Sequence, residues 1–544
     1  MLFSDKSDHE GTVSVNKIFQ RTIVLGCGLA ILTGCGADDV AVPNGSVVVN
    51  PPTSAPPPPP PVPGGSVIAA AACTAGTTDG GTVQLQGNRG TIRNCVVPQQ
   101  ITGTLTLSGR RADGIMYSIS GRTDVGRDVD LAGGAAANLN VLPGVTVFAA
   151  TRETSLIVNR GSKLNADGTS AQPIIFTALR NLTGGLTDAT DNEWGGLIIN
   201  GRAPVSDCDP TVSTSTVGGS AGCWRKAEGV SVDTLFGGNV ANDSSGVLRY
   251  VQVNFTGVGA NASEIQGVTT GGVGSGTVMS YLQIHNSLDD GIESFGGTQN
   301  MDHLVMTGIA DDSLDTDNGY TGAVQFMFAA RRANGTVGDS IGGQTMLEID
   351  SSAANDASPR QYLKLANFTL LQTTPNEPAI RLRGGADVDF VNGIVVARAG
   401  GTQGCLDVDN AETVQAAGTY NGTADRGPPR FLSVVFDCQT LADADSDTFE
   451  ETALSNSANA NVVRSFTNTL QFLTGSTVGR IANGANETGV MSAVSLGSIS
   501  SFFQQVSYIG AFSGPNDTWT SGWTCNSDVA DLRGALGCTD IRVF

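Results

Sequence analysis

The chain has 544 residues, a formal net charge of −21 at pH 7 and 71 glycines, while aromatic residues make up only 6%. This acidic balance excludes a nucleic-acid partner, because neutralising phosphates requires clustered Lys and Arg. The length exceeds one typical compact domain, but a solenoid can reach it by adding coils. Abundant glycine with few aromatic residues suits many tight turns better than long helices.

The first 34 residues have the features of an export signal. Lys17 and Arg21 form the basic flank, and the apolar core from Thr22 to Ile31 is too short to span a bilayer. The closing sequence LTGC, which ends at Cys35, resembles the bacterial lipobox and implies cleavage before Cys35 and a lipid on its sulfur. Gly36 then favours the outer membrane, at its periplasmic or cell-surface face. The alternative is an ordinary secretory signal with an incidental cysteine.

Residues 35–66 combine the proposed anchor with a proline-rich linker, in which residues 56–61 are all proline. Such sequence adopts polyproline II, which extends about 3.1 Å per residue and acts as a semi-rigid spacer. We expect this spacer to hold the folded part of the chain away from the membrane.

Eight cysteines remain once those of the signal and the anchor are set aside. An even number of cysteines in an exported protein indicates disulfide bonds, and none of the spacings is typical of a zinc site. We therefore predict that the cysteines pair with their nearest neighbours. The predicted pairs are Cys73–Cys95, Cys208–Cys223, Cys405–Cys438 and Cys525–Cys538.

Two similar segments organise the middle of the chain. Asn286–Gly297 (NSLDDGIESFGG) and Gly308–Gly319 (GIADDSLDTDNG) are offset by 22 residues, and the apolar stretches around them keep the same offset. Self-similarity at a period of 20 to 50 residues indicates a solenoid, and the short, glycine-rich units predict the coils of a parallel β-helix. Coils that stack about 4.8 Å apart would place aspartate above aspartate.

The solenoid is predicted to cover residues 67–443, beginning with an N-terminal cap and ending near a strand at Phe431–Phe436. Residues 444–544 are predicted to be a capping region. Within it, the sequence DTFE at 447–450 has a capping-box arrangement that predicts the start of a helix lying over the last coil. The apolar residues at helical spacing are Val463, Phe466, Leu470 and Leu473.

These features resemble a family of bacterial right-handed parallel β-helix lipoproteins of the outer membrane or cell surface. The resemblance depends on GSGT at 274–277, the two Asp-Asp turns, and a C-terminal segment from Tyr508 that contains Trp519 and Trp523. It covers most of residues 115–400 and the C-terminus. It implies an all-β fold, a right-handed parallel β-helix with an N-terminal cap and a partly helical C-terminal cap, but no assigned activity.

The stacked turns carry the candidate site. If Ile292 and Leu314 point into the core, a period of two residues turns four acidic side chains outward and leaves two at the bend. The outward residues are Asp289, Glu293, Asp311 and Asp315, and those at the bend are Asp290 and Asp312. Like charges on adjacent strands repel each other, so the stack requires something that offsets the repulsion.

Three arrangements would offset it. Backbone N–H groups at the bend can bond the carboxylate oxygens, as in Asx-turns. A calcium ion can take six to eight oxygen ligands, for which the candidates are Asp289, Asp290, Asp311 and Asp312. Alternatively, one carboxyl group of a close pair keeps its proton and becomes a candidate general acid.

The protonated arrangement predicts a polysaccharide lyase or glycoside hydrolase, with Asp289, Glu293, Asp311 and Asp315 as candidate catalytic residues. Pectate lyases and polygalacturonases are parallel β-helices that use carboxylates on an outer face, but this chain lacks the NTD and RIK sequences of polygalacturonases. Additional candidate binding residues are two histidines near the stack, two arginines suited to an acidic sugar, and one tryptophan suited to stacking on sugars. These residues are His285, His303, Arg381, Arg383 and Trp224.

Each of these residues also has a structural interpretation, because Asp-Asp-Gly turns occur in β-helices without catalysis and tryptophans most often pack in cores. The sequence therefore favours a binding role for a rigid, acidic β-helix anchored through Cys35. Expected partners are a surface polysaccharide, a cell-surface protein or an outer-membrane transporter. An enzyme is the second hypothesis and a structural surface component the third. Calcium is the candidate cofactor.

Overall fold

The computed structural model describes residues 66–230, 234–257, 265–332, 345–351, 356–374, 377–397, 404–443, 448–470, 483–534 and 536–541. The predicted signal peptide, the lipidation site Cys35 and the proline-rich linker up to residue 65 lie outside these ranges. Among the described residues, no helix is long and apolar enough to cross a membrane.

The described chain is built mainly from short strands. In chain order they are β1 Thr78–Gln84, β2 Thr91–Val96, β3 Gln100–Ile101, β4 Gly103–Leu107, β5 Ile115–Ile119, β6 Arg122–Val125, β7 Ala137–Val141, β8 Thr146–Ala149, β9 Ser155–Val158, β10 Lys163–Asp167, β11 Ile174–Ala178, β12 Gly196–Asn200, β13 Arg225–Lys226, β14 Leu235–Phe236, β15 Gly246–Thr256, β16 Val268–Gly271, β17 Val278–Ser287, β18 Ile292–Phe295, β19 Met301–Thr307, β20 Leu314–Asp317, β21 Ala323–Ala330, β22 Leu347–Ile349, β23 Tyr362–Gln372, β24 Ile380–Leu382, β25 Asp387–Ala397, β26 Leu406–Val408, β27 Gly418–Tyr420, β28 Thr423–Asp425 and β29 Arg430–Cys438. The helices are α1 Leu179–Thr183, α2 Phe449–Leu454 and α3 Ala485–Val490.

Two long sheets contain nearly all of these strands. Sheet 1 has fifteen strands, and its main path runs β1-β2-β5-β8-β11-β15-β17-β19-β21-β23-β25-β29. Sheet 2 has ten strands in the order β3-β6-β9-β12-β16-β18-β20-β22-β24-β26. The neighbours in both sheets are parallel, apart from the antiparallel pair β1–β2 at the N-terminal end. The chain alternates between the sheets coil by coil, which confirms the predicted parallel β-helix.

The predicted offset of 22 residues is confirmed where the two similar turns stack. Ile292 pairs with Leu314 and Glu293 with Asp315, and the next coils place Leu347 above Leu314. Ile292, Leu314 and Leu347 are fully buried in a single apolar core that extends from Cys95 to Leu454. The side chains that alternate with them must therefore point away from the core, on the outer face of sheet 2.

The number of strands that each coil contributes to sheet 1 changes at β15. Before it, each coil has two separate strands on this side, and β15 joins them because its first half pairs with β10 and its second half with β11. From β15 onward each strand bends at one residue in the left-handed conformation, with φ between 52° and 59°. Successive coils align these residues in one column: Tyr250, Tyr281, His303, Phe326, Asn367, Asn392 and Ser433. Such backbone is uncommon for residues other than glycine, so seven in register define the corner of the helix.

The C-terminal strap, residues 483–534 and 536–541, crosses the outer face of sheet 1 along the length of the solenoid. Near the last coils, the Asn392 side chain donates to the carbonyl of Val494 (3.1 Å), and Asn367 donates to Tyr508 (2.8 Å). At the opposite end, Gln86 donates to the carbonyl of Thr539 (2.8 Å). The strap therefore runs back from the last coils to the N-terminal cap.

The predicted helix is wrong for residues 455–470, whereas its ends at Asp447 and Leu473 lie outside the described residues. Helix α2 ends at Leu454, and Val463 forms a parallel bridge with Val435. The Oε1 of Glu450 accepts the backbone N–H of Val408 (2.7 Å), so this side chain is bonded to the last coil. Pairing with the open edge of the last coil satisfies more backbone groups than an isolated helical turn would.

The four predicted disulfide bonds, Cys73–Cys95, Cys208–Cys223, Cys405–Cys438 and Cys525–Cys538, are all present. They fasten the N-terminal cap, the loop after β12, the last coil and the strap, respectively. Each bond therefore lies where the chain departs from the regular ladder of parallel strands.

Candidate functional site

A charged column runs along the outer face of sheet 2. The register places Glu293 next to Asp315, Asp315 next to Glu348, Glu348 next to Arg381 and Arg381 next to Asp407. Below Glu293 the same column contains Thr269, followed by Ile198 and Ile157. Three carboxyl groups in successive coils are thus followed by an arginine, which the 22-residue repeat alone did not reveal.

The two arginines predicted to bind an acidic sugar are paired with carboxylates of neighbouring coils. Arg381 Nε lies 2.7 Å from Asp407 Oδ2, and Arg383 Nε lies 2.9 Å from Asp350 Oδ2. Arg383 also donates to Glu348. The carboxylate of Glu348, followed by that of Asp350, holds the pKa of Arg383 well above its usual value. Both guanidinium groups therefore offset the charge of the column.

The two bend aspartates form a ladder with the backbone. Asp290 Oδ1 accepts the N–H of Asp312 (2.9 Å), and Asp312 Oδ1 accepts both the N–H (2.6 Å) and the hydroxyl (2.7 Å) of Thr345. Each aspartate thus binds the backbone of the following coil. This is the first of the three arrangements that the sequence allowed.

Arg331 is a residue of the site that sequence reasoning missed. It lies directly after β21, its guanidinium donates to four backbone carbonyls, and the residue is only 5% exposed. The acceptors are the carbonyls of Ile309, Ala310, Asp311 and Thr345. Burial lowers the pKa of Arg331, while the carboxyl groups of Asp312 and Asp311 raise it. The repeat could have indicated its position. Ala330 pairs with Thr307, so Arg331 occupies the position that Gly308 has one coil earlier, shortly before the Asp-Asp turn.

One carboxyl group of the stack also has a strongly perturbed pKa. Burial, followed by the nearby charges of Asp289 and Asp312, raises the pKa of Asp290 well above its usual value. Burial and nearby carboxylates both favour the neutral form of a carboxyl group. The backbone bonds of the first arrangement are therefore present, and this pKa shift has the direction that the third arrangement requires.

The outer face around the stack is closed to solvent. Asp289, Glu293, Asp311 and Asp315 are between 0% and 4% exposed, although the sequence suggested an accessible face. A hairpin insertion between β12 and β15, residues 201–230 and 234–238, covers part of it. Phe236 of the insertion packs against Phe295 (centroids 6.3 Å apart), and the N–H of Ser206 donates to the carbonyl of Asn318 (2.8 Å).

The carboxyl groups have the donor type that a calcium ion prefers. Asp289, Asp290 and Asp311 each offer an oxygen within 4.8 Å of the others, and so do Asp290, Glu293 and Asp315. The predicted fourth ligand, Asp312, belongs to neither set. Calcium accepts six to eight oxygens, so either set would supply part of a shell. Calcium binding stays a prediction, and Arg331 already supplies positive charge at this place.

The two histidines lie on sheet 1 rather than beside the stacked carboxyl groups. His285 is fully buried, with Nδ1 2.9 Å from the Thr307 hydroxyl and Nε2 3.4 Å from Asp188. His303 belongs to the left-handed column, stacks on Tyr281 (4.1 Å between ring centroids) and contacts Trp519 of the strap. Both rings are packed, and their predicted binding role stays a prediction.

Trp224 lies half-buried in the insertion. Its indole N–H donates to the carbonyl of Ala221 (2.8 Å), and the guanidinium of Arg160 lies 4.6 Å from the ring centroid. One face of the ring is thus occupied by a cation, which leaves less surface for the predicted stacking on sugars.

An open cleft of about 420 Å³ lies away from the stacked carboxyl groups, where α1 and the approach to β12 meet the end of β8. We call it the corner cleft, and it is lined by residues 149–152, 178–180 and 191–193. The charged residues that line it are Arg152, Arg180, Asp191 and Glu193. Sequence reasoning missed this cleft because three separate segments of the chain form it.

Coils of parallel strands, a charged outer column and disulfide bonds at the irregular segments define this chain as a parallel β-helix protein. The sequence model of one family, described as the pectate-lyase like beta helix domain, matches residues 112–524, and the chain belongs to that family. No curated protein and no solved structure gives a significant match.

Proposed function

We propose that this chain is an outer-membrane lipoprotein whose β-helix binds a polysaccharide at the cell surface. The family membership supports a carbohydrate-related role. The observation that favours binding over catalysis is the burial of the stacked carboxyl groups, none of which is more than 4% exposed. A polymer cannot reach a general acid that the protein itself covers.

The lipid anchor is proposed from the sequence. The LTGC sequence ending at Cys35 and the following proline-rich linker are the supporting features. Cells that express the full chain should incorporate labelled palmitate into it, and the Cys35→Ser variant should not. Palmitate incorporation into the variant would contradict the anchor, whereas protease digestion of intact cells would distinguish the cell-surface face from the periplasmic face.

Polysaccharide binding is tested by affinity electrophoresis of the full chain, solubilised in detergent, through gels that contain acidic or neutral polysaccharides. Retarded migration with no change in polymer length is the expected result. Migration that no polymer retards would contradict the proposal. Recovery of an outer-membrane transporter in a pull-down from native membranes would instead favour the protein partner named from the sequence.

The second candidate function is a polysaccharide lyase or hydrolase that uses the stacked carboxyl groups. The raised pKa of Asp290 favours it, because a carboxyl group that keeps its proton can act as a general acid. In the affinity gels this function would shorten the polymer, and Asp311→Asn would abolish the shortening. Shortening that survives in Asp311→Asn would exclude these residues as its source.

A further inference from the structure

The corner cleft places two arginines and two carboxyl groups around a space of about 420 Å³. Cavities of roughly 300 to 1,000 Å³ are typical for small-molecule ligands. None of the residues that line the cleft belongs to the stack or to the insertion. The proposed function therefore does not explain why these four charged groups lie together.

The backbone on one side of the cleft is fixed by pairing with β15. The N–H groups of Asn192 and Glu193 donate to the carbonyls of Thr256 (2.8 Å) and Phe255 (2.9 Å), and Trp194 forms a parallel bridge with Thr256. The indole of Trp194 is fully buried and donates to Asn254 (2.9 Å). Charged groups mounted on such a fixed segment keep their positions when a ligand enters.

The two arginines are engaged differently. Arg180 is paired with Glu193, with 2.5 Å between Nη1 and Oε1, and also donates to the carbonyl of Gly185 (2.8 Å). Arg152 is exposed, and its Nε donates to Asn192 Oδ1 (3.1 Å). Within the described part of the chain, the terminal nitrogens of Arg152 have no hydrogen-bond partner. They form a fork that can take an oxyanion through two parallel hydrogen bonds.

Asp191 is the titratable group of the cleft. Its Oδ2 is buried without a hydrogen bond among the described residues, and burial raises the pKa of Asp191 to about 6. Arg152 and Arg332 oppose this rise, whereas Glu193 adds to it. Arg332 is itself paired with Asp528 and donates to the carbonyl of Asp188, so its charge is partly offset. Near pH 6 the protonation of Asp191 therefore changes the net charge of the cleft.

The charge balance follows from these groups. The pair of Arg180 and Glu193 is neutral, which leaves Arg152 and Asp191. When Asp191 is ionised it cancels the charge of Arg152, and when it is neutral the cleft carries one positive charge and a carboxyl O–H that can donate to an anion. We propose that the corner cleft binds one oxyanion on a monosaccharide-sized molecule, with Arg152 as the anion ligand and Asp191 as the proton-dependent gate.

This site goes beyond the proposed function, because it depends on neither the lipid anchor nor the retention of a polymer. The shared ligand chemistry is a singly charged oxyanion beside sugar hydroxyls. The probes are glucuronate for a carboxylate, glucose 6-sulfate for a sulfate ester, and glucose as the neutral comparison.

Binding of each probe to the detergent-solubilised full chain is measured by isothermal titration calorimetry at pH 5 and pH 7.5. With a gate pKa of about 6, a few per cent of the cleft is competent at pH 7.5, so binding of the anions should weaken about 30-fold from pH 5. Glucose should not bind detectably. If only glucuronate binds, the site takes carboxylates, and if both anions bind, it takes oxyanions generally.

Variants separate the two roles. Asp191→Asn fixes the side chain in a neutral form, so anion binding should persist at pH 7.5 and lose its pH dependence. Arg152→Gln should weaken binding at least tenfold at both pH values. The matched controls are Arg249→Gln and Asp167→Asn, an exposed ion pair (3.3 Å) elsewhere on sheet 1, and neither should change binding.

Three results would overturn the proposal: equal binding of glucose and glucuronate, wild-type pH dependence in Asp191→Asn, or unchanged affinity in Arg152→Gln. Because Arg152 is exposed, its substitution is expected to leave folding intact, and thermal unfolding of each variant checks this. Retention of polysaccharide together with any of these results would leave the proposed function standing and remove only this site.

Discussion

The charged column on sheet 2 and the corner cleft contain the same chemical groups in different surroundings. In the column, Arg383 and Glu348 are bonded across coils, and their side chains are 31% and 4% exposed. In the cleft, Arg180 and Glu193 form a similar pair, but their side chains are 57% and 13% exposed. The comparison teaches that access to solvent, rather than the presence of carboxyl groups, separates structural charges from groups able to meet a ligand.

The difference has a simple cause in the chain. The insertion after β12 packs Val205 and Phe236 on the outer face of sheet 2, whereas an open cleft lies between residues 191–193 after α1 and the end of β8. Buried charges must then be balanced inside the protein, because removing them from water costs several kcal/mol per ion. Arg381 and Arg383 supply that balance in the column, and Arg331 supplies it beside the aspartates of the bend.

The largest expected effect comes from removing the buried cation. Arg331→Met should leave Asp290, Asp311 and Asp312 without their nearest positive charge and four carbonyls without a donor, and so lower the free energy of unfolding by about 3 to 5 kcal/mol. Urea unfolding followed by circular dichroism measures it. The control Arg249→Met removes an exposed arginine and should cost less than about 1 kcal/mol. Equal losses in the two variants would contradict the role of Arg331.

The next effect tests whether the insertion closes the outer face of sheet 2 at Asp317, two residues beyond the column. Replacing Cys208 and Cys223 by serine opens a link with a sequence separation of 15 residues, which should cost about 3 kcal/mol. Carbodiimide labelling of Asp317 should rise several-fold, because it is 3% exposed and interacts with Arg225 of the insertion.

The matched control for this experiment is the serine variant of Cys525 and Cys538, a link of 13 residues in the strap. It should cost a similar free energy of unfolding without increasing the labelling of Asp317. An equal increase in labelling in the two variants would mean that general loosening, rather than the insertion, controls access to the column.

The third prediction concerns Asp290 and pH. Its pKa is raised in the folded protein, so between about pH 3.8 and that higher pKa the folded state holds a proton that the unfolded state has lost. Stability from this group is therefore complete below pH 3.8 and falls as pH rises, by up to about 1.4 kcal/mol per unit. Asp290→Asn keeps an acceptor for the N–H of Asp312 and should remove this decline. Urea unfolding from pH 4.5 to 7.5 measures it, and an unchanged slope in the variant would contradict it.

The sequence was sufficient for features that repeat locally. The stacking of Ile292 on Leu314 follows from periodicity, and the disulfide pairs follow from short separations between cysteines. The contact of Phe236 with Phe295 brings together residues from different coils, so no periodic signal marks it. The left-handed column was missed for another reason. Asn367 and Asn392 are of a type that often adopts this conformation, but Tyr281 is not, so the residue types do not predict the column.

The candidate site divides in the same way. The positions of Asp290 and Asp312 at the bend were predictable from the two similar turns, whereas the buried guanidinium of Arg331 that bonds the carbonyls of Asp311 and Thr345 beside them was not. The corner cleft has no counterpart in the repeat, because Arg152, Arg180 and Asp191 come from three separate segments that only the coiling of the chain brings together. Long-range assembly, rather than local preference, is what sequence reasoning could not supply.

The smallest expected effect sharpens the comparison from the side of the cleft. Because burial raises the pKa of Asp191 to about 6, stability from this group is complete below pH 3.8 and is lost as pH rises through 6. A shift of this size corresponds to about 3 kcal/mol, which solvent at the partly exposed side chain reduces to about 1 to 2 kcal/mol. Relative to wild type, Asp191→Asn should therefore gain that amount between pH 4 and pH 7 in urea unfolding, and the gain should level off above pH 7. For Asp290→Asn the gain in the free energy of unfolding should continue to higher pH, since that carboxyl group is fully buried. Identical profiles for the two variants would remove the distinction between the closed stack and the open cleft.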